Sequence, residues 1–167
     1  MKKLQYFSTF NKVYNQEVIQ MEIYQATIED LEGVADLFNL YRIFYQQTSD
    51  LEGARAYIKD RLKSKDSVIF VVKNGQEYAG FTQLYPTFSS ISMERAWILN
   101  DLYVVTEARK QGIGEMLLHR AKDFAMEVGA KSISLETAPD NDAAQRLYEK
   151  NGYIRDLQYY HYELSLI

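Results

Sequence analysis

At 167 residues, with 47% hydrophobic and 25% charged side chains, the chain has the size and composition of one soluble domain with a sizeable core. Its 19 basic and 23 acidic residues leave a formal net charge of −4, which offers no bulk attraction to nucleic acid or to an anionic membrane. The lack of cysteine excludes a disulfide framework, a thiolate zinc site and a cysteine nucleophile, and with only His119 and His161 a histidine-built metal site is not expected.

Residues 1–20 mix Tyr6, Phe7, Phe10, Val13, Tyr14, Val18 and Ile19 with polar residues at no clear period. They read as a loosely ordered N-terminal extension ahead of a domain over 21–167, and an upstream start or an oligomer contact are the alternatives. Met1-Lys2-Lys3-Leu4 begins like a signal peptide, but Gln5, Ser8, Thr9, Asn11 and Lys12 interrupt its apolar region. No run approaches the ~20 apolar residues of a membrane span, so a cytoplasmic location is expected.

Met21 opens a short strand through Ala26, and Thr27 or Asp30 can cap a helix running through Leu31, Val34, Leu37, Phe38 and Tyr41 toward Tyr45. Asp50 precedes a second helical pattern, Leu51 to Leu62. Val68 to Val72 reads as a buried strand, Asn74-Gly75 as a hairpin turn, and Glu77 to Tyr85 as the returning strand. Pro86 and Ser89-Ser90 mark a loop before a strand that ends at Val105. Ile113, Leu117, Ala121, Phe124 and Val128 fall within about 80° on a wheel of ~100° per residue, which predicts an amphipathic helix closed by Gly129. Ser132 to Thr137 reads as a strand, Asp140 to Lys150 as a short helix, and Gly152 as a turn into final strands near Ile154 and Tyr159 to Leu166. His119 projects opposite the apolar stripe of its helix, and His161 lies in the last strand pattern.

Between the strand ending at Val105 and the helix beginning at Ile113 lies Arg109-Lys110-Gln111-Gly112-Ile113-Gly114. Strand, glycine turn and helix together point free backbone N–H groups at an anion. Glycines let the backbone approach closely, and the positive end of the helix dipole adds to the attraction. This loop is expected to hold a phosphate group. It is not the dinucleotide fingerprint, which needs three glycines in another spacing. Further on, Asn141 and Tyr148 stand seven residues apart, ~10.5 Å along a helix axis and about 20° apart in azimuth, so both can line one groove. The alternatives are a helix cap for Asn141 and core packing for Tyr148.

The glycine loop, taken with Asn141, Ala144, Leu147-Tyr148 and Gly152-Tyr153 and with the strand Asn100-Asp101-Leu102-Tyr103-Val104, closely resembles the GNAT superfamily of N-acetyltransferases. The likeness covers about residues 22 to 165 in element order and is most specific from Leu99 to Tyr153. It implies an α/β (α+β) fold, with a mixed, mostly antiparallel central sheet flanked by helices on both faces. It also implies acetyl-coenzyme A as donor and a primary amine as acceptor, with no metal. By the resemblance, the backbone of Leu102, Tyr103 and Val104 pairs with the pantetheine arm like an added strand. Backbone N–H groups across Lys110, Gln111, Gly112, Ile113, Gly114 and Glu115 cradle the pyrophosphate, with Arg109 and Lys110 adding charge. Asn141 binds the pantetheine arm, Tyr148 sits at the thioester sulfur, and the Tyr103 N–H polarises the thioester carbonyl. Small members of the superfamily are often homodimers, and the aromatic segment Tyr159-Tyr160-His161-Tyr162 is placed to extend a sheet between chains.

Without cysteine the familiar acyl-enzyme route is closed, so direct attack by the amine in a ternary complex is expected. Asp101 is the candidate to take the amine proton or bind the amine, against a purely structural role in fixing its neighbours. By the resemblance, the first two helices and the Tyr85-Pro86-Thr87-Phe88 loop shape the acceptor pocket, with Tyr41, Tyr45, Asp50 and Tyr85 as candidate walls; core or dimer packing suits their aromatic content equally. The chain looks most like small-amine and polyamine acetyltransferases, with basic-protein acetyltransferases close by. The polyamine subgroup often has two adjacent acids where this chain has Asn100-Asp101. Protein lysine or N-terminal acetylation, a non-catalytic coenzyme A-binding module and acetylation of charged transfer RNA are the competing readings. The last calls for a stronger basic face than the composition offers.

Overall fold

In the computed structural model, which describes residues 8–14 and 17–166 and side chains from Met21 onward, ten helices and strands follow one another. They are β1 (Ser8–Tyr14), β2 (Glu17–Gln25), α1 (Leu31–Phe44), α2 (Leu51–Ser64), β3 (Val68–Asn74), β4 (Glu77–Ser89), β5 (Glu94–Val104), α3 (Ile113–Glu127), β6 (Ile133–Ser134) and α4 (Asp142–Lys150). Short 3-10 turns at Ile28–Asp30 and Thr106–Ala108 lead into α1 and out of β5. The strands form one sheet in chain order, antiparallel throughout except for the parallel pair β5–β6. The chain divides into two compact units, one ending at Glu136 and one beginning at Thr137. The sheet and α1 to α3 make up the first, and α4 lies in the second.

Each strand shows opposite side chains to opposite faces. Ile69, Val71, Phe81 and Tyr103 join Val34, Leu37 and Ile58 in a core under α1 and α2. On the other face Phe124 of α3 meets Phe70 at 5.5 Å and Trp97 at 5.0 Å. Helices thus cover both faces of a mostly antiparallel sheet, as the sequence implies. Burial of each large aliphatic or aromatic side chain here contributes about 1.5–3 kcal/mol. The helix starts follow their caps. Asp50 Oδ1 accepts from Gly53 N–H at 2.9 Å, and Thr27 with Asp30 forms a capping box on the turn before α1. At the other end of α3, Val128 is the last half-helical residue and Gly129 follows with φ of 67°.

Four expectations about the elements change. Residues 8–14 pair with β2 from Ser8↔Ile23 to Tyr14↔Glu17, so the stretch read as loosely ordered is half of a hairpin. Its partner is the next strand, and no period within a single segment reveals a partner. Pro86 lies inside β4, opposite Trp97, where a loop was expected. β3 begins only at Val68↔Leu84, so no β3 residue stands beside Pro86 to need its missing N–H. The strand expected over Ser132 to Thr137 is only Ile133–Ser134. The strands expected near Ile154 and Tyr159 to Leu166 are not seen: Gly152 turns the chain with φ of 86°, 153–166 is not in strand conformation, and Ile154, Tyr160 and Tyr162 stand exposed. Alternating apolar residues make a strand only where another strand is there to receive their hydrogen bonds.

Candidate active site

β5 reaches the site through a β-bulge. Leu99 pairs with Leu84 and Asp101 with Gln83, so Asn100 is an extra residue on β5. An extra residue swaps the faces of everything beyond it. Trp97 packs against Phe124 on the α3 side, and by simple alternation Asp101 would follow it there. The bulge instead turns Asp101 and Tyr103 to the side of α1 and α2, with Tyr103 in that core.

The backbone is inverted as well. Trp97 N–H donates to Ser132 O at 3.0 Å, away from β4, whereas Val105 N–H donates to Ala79 O at 3.0 Å, toward β4. Alternation back from Val105 sends the Tyr103 N–H to β4 and the N–H groups of Leu102 and Val104 to the opposite edge. Because β6 pairs with Trp97 and Ile98 alone, that edge of β5 has no strand beside it from Leu99 to Val104 among the described residues. Leu102 and Val104 are therefore placed to receive an extended chain. By the same alternation the Tyr103 N–H faces the β4–β5 ladder rather than the open edge where a thioester carbonyl would lie.

Past β5 the backbone takes a left-handed conformation at Lys110, with φ of 62°, and again at Gly112, with φ of 89°. Gly112 caps α3 with no side chain, and the first bond of the helix runs from Met116 N–H to Gly112 O at 3.0 Å. The N–H groups of Ile113 and Gly114 thus have no partner within the helix. A Cβ at Gly112 would meet nothing within 4 Å, so the space in front is open and the φ alone asks for glycine. Left- and right-handed residues in succession form a concavity of N–H groups suited to an anion. Gly80 seats this helix start on the sheet, since a Cβ there would lie 2.8 Å from Tyr103 O and 3.2 Å from Ile113 Cγ2. Gln111 Nε2 holds the loop by donating to Glu107 O at 3.2 Å, and Glu115 stands in the first turn, where the helix dipole favours an acid. Arg109 Nε donates to Val104 O at 3.1 Å, and its guanidinium lies 5.7 Å from the Phe44 ring and 5.8 Å from that of Tyr103. Its charge is anchored at the end of β5.

Asp101 is 4% exposed. Burial pushes its carboxyl above the ordinary range, against hydrogen bonds from Asn100 Nδ2 at 3.1 Å and from the Tyr41 hydroxyl, which act to lower it. Thr82 Oγ1 donates to the Asp101 carbonyl at 2.8 Å and fixes the strand at this point. Burial likewise raises Tyr85, aided by its hydrogen bond with Tyr57 and by the charge of Asp101. Tyr41 and Tyr85 are thus grouped with Asp101. Asp50 is not: its carboxylate caps α2 and its N–H donates to Asn39 Oδ1 at 2.9 Å. Tyr45 packs edge-on against Tyr41 with ring centres 5.0 Å apart and is 45% exposed. Nothing in the sequence spacing singles out Tyr57 or Gln83. Only the sheet register and the packing of α2 bring them to Asp101 and Tyr85.

In the second unit, Asn141 Oδ1 accepts from Ala144 N–H at 3.2 Å, so the helix cap is one role it fills. Tyr148 stands on α4 with its ring 5.8 Å from that of Tyr153. The Tyr153 hydroxyl is buried without a hydrogen-bond partner, and burial pushes it up to about 12.

A family model described as the acetyltransferase (GNAT) family matches residues 34–153, a span that crosses both units. The chain is similar to an uncharacterized N-acetyltransferase, YhfO, of Bacillus subtilis (strain 168), with 51% identity over 146 residues, 87% of this chain and 98% of that protein. It is 29% identical over 147 residues to a probable acetyltransferase of Haemophilus influenzae, covering 87% of this chain and 99% of the relative. A solved crystal structure of a probable acetyltransferase matches with a TM-score of 0.82 at 43% identity, over 87% of this chain and 97% of that one.

Proposed function

Because the chain belongs to the GNAT family of acetyltransferases, which use acetyl-coenzyme A, we propose that it acetylates the primary amine of a small cationic molecule, polyamine-like or amino-acid-like, by direct attack in a ternary complex. The observation that carries this reading is Asp101. It is a carboxylate buried among phenols, on the strand whose opposite edge is open at Leu102 and Val104. Bound acetyl-coenzyme A supplies the activated acetyl group. The residues present fit it: an open strand edge suits the amide-bearing pantetheine arm, and the uncapped start of α3 at Gly112 suits a diphosphate.

An alkylammonium of pKa ~10.4 must lose its proton before it can attack, at a cost of about 4.6 kcal/mol at pH 7. Asp101 takes that proton. Its raised affinity for a proton lowers the mismatch with the amine relative to an ordinary carboxylate. Leu102 N–H replaces Tyr103 N–H as the backbone donor for the thioester oxygen, since it faces the open edge. Tyr148 offers its phenol to the departing thiolate. Full transfer from a phenol near pKa ~10 to a thiolate near ~8.5 is uphill by about 2 kcal/mol, so a hydrogen bond comes first and the proton follows. Asn141 holds the pantetheine arm.

The test is thiol release from acetyl-coenzyme A with polyamines, lysine, aminoglycosides and basic peptides, with mass spectrometry of the products. Acetylation of a small amine is the expected result. Turnover restricted to peptides would transfer the reading to protein acetylation, and tight donor binding without any turnover would make the chain a binding module. Tyr148→Phe should lower kcat about a hundredfold with little change in donor affinity; wild-type turnover in that variant removes Tyr148 from the chemistry.

A further inference from the structure

A group that gives and takes a proton needs hydrogen-bond partners in both of its states. Ionised, Asp101 accepts from Asn100 Nδ2 and from the Tyr41 hydroxyl. Protonated, it becomes a donor and needs an acceptor: Asn100 Nδ2 cannot serve, and the Tyr41 hydroxyl can do so only by giving up its own donation to the carboxyl. Directly across the ladder from Asp101 stands Gln83, fully buried at 0% exposure. Its Nε2 donates to Ser67 Oγ at 2.7 Å, whereas its Oε1 is buried without any hydrogen-bond partner. A buried amide oxygen left so is costly, and an exception of this kind calls for a reason. Cross-strand partners on one face have Cβ atoms about 5.5 Å apart, within reach directly or through one ordered water.

We propose that Gln83 is a positioning residue for Asp101: locked by Ser67, its Oε1 accepts the proton-bearing hydroxyl that Asp101 acquires when it deprotonates the acceptor amine. The step balances. The ammonium N–H bond breaks, its electron pair stays on nitrogen, the proton forms an O–H bond on the Asp101 carboxylate, and that O–H donates to Gln83 Oε1. Gln83 stabilises the neutral carboxyl while Asn100 and Tyr41 stabilise the charged one, so the proton affinity of Asp101 is set by the balance between them. The other groups that bear on it are Tyr85 from β4, which feels the charge of Asp101, and Arg61 from α2, which acts on Tyr85.

This inference rests on Asp101 as the base, and its test does not depend on turnover. The Asp101 carboxyl is titrated by ¹³C NMR in the wild type and in Gln83→Met, which keeps the volume and removes the acceptor. The expected result is a pKa lower by about one unit in the variant. In any productive assay, the acid limb of the kcat/KM profile shifts down by the same amount and kcat at pH 7 falls about tenfold, with the acetyl-coenzyme A affinity unchanged. An unchanged or raised Asp101 pKa overturns the proposal. A rise would mean that the amide is turned, with its NH2 toward the carboxylate. Should Gln83→Met not fold, Ser67→Ala releases the lock and is expected to lower the pKa in the same direction by a smaller step; no change there counts equally against it. A chain that titrates as expected yet acetylates no amine leaves this coupling standing and defeats the acetyltransferase reading instead.

Discussion

Two buried aspartates in this fold are treated in opposite ways. Asp30, at the entry to α1, is 7% exposed and receives Tyr24 Oη at 2.7 Å, Tyr78 Oη at 2.8 Å, Thr27 N–H at 2.8 Å and Thr27 Oγ1 at 3.2 Å. Burial pushes its carboxyl up, but those donors outweigh burial and the net shift is downward. Asp101, at 4% exposure, has burial as its dominant influence and stays raised. The first arrangement holds a permanent charge that ties β2, β4 and α1 together. The second leaves a carboxyl whose burial outweighs the donors around it. Carboxyls of the second kind are candidates for proton chemistry, which is the role proposed for Asp101.

The largest expected effect breaks the comparison at Asp101. Asp101→Asn should lower kcat about 10²- to 10³-fold while raising the melting temperature, because it removes a charge the fold does not fully solvate. A melting temperature that falls with kcat unchanged would make Asp101 structural. Next, Asp30→Asn should cost about 2–3 kcal/mol of stability by setting an NH2 against groups that are themselves donors, with kcat per folded molecule unchanged. Denaturant titration and active-site-normalised rates check both halves. Third, pH separates the two. Asp30 has a depressed folded pKa, so its stabilisation is present above the unfolded value of ~3.9 and is lost as pH falls through the folded one. Asp101 has a raised folded pKa, so its contribution runs the other way, and stability falls as pH rises from ~3.9 through its folded value. Melting curves from pH 3 to 7 should lose the acid-side drop in Asp30→Asn and the opposing slope above pH 4 in Asp101→Asn. The smallest effect sharpens the donor side: Gly112→Ala meets no steric obstacle but must hold φ near 89°, and about 1 kcal/mol of strain should raise the donor KM about fivefold.

The sequence made the donor half of this chemistry readable and left the acceptor half obscure, for a physical reason. The turn at Arg109 to Gly114 and the helix after it are contiguous, and left-handed φ at Gly112 together with the buried stripe from Ile113 to Ala125 is a local matter of glycine placement and period. The surroundings of Asp101 are assembled from β4, β5, α1 and α2 by sheet register. A single bulged residue, Asn100, decides which face Asp101 and Tyr103 see and which edge the Leu102 and Tyr103 N–H groups address. Nothing in the spacing announces that bulge, so sequence alone does not distinguish the Leu102 N–H from that of Tyr103. Similarly, Tyr159 to Leu166 carries the alternation of a strand but is not one, whereas Ser8 to Tyr14 lacks a clear period yet pairs with β2.

The central claim, that the open edge of β5 and the uncapped start of α3 receive the acyl donor, is tested most directly by amide NMR during titration with acetyl-coenzyme A. Leu102, Val104, Gly112, Ile113 and Gly114 should show the largest saturable shifts, with the Asp30 cluster unmoved. Saturable binding that leaves those five amides in place would contradict the account.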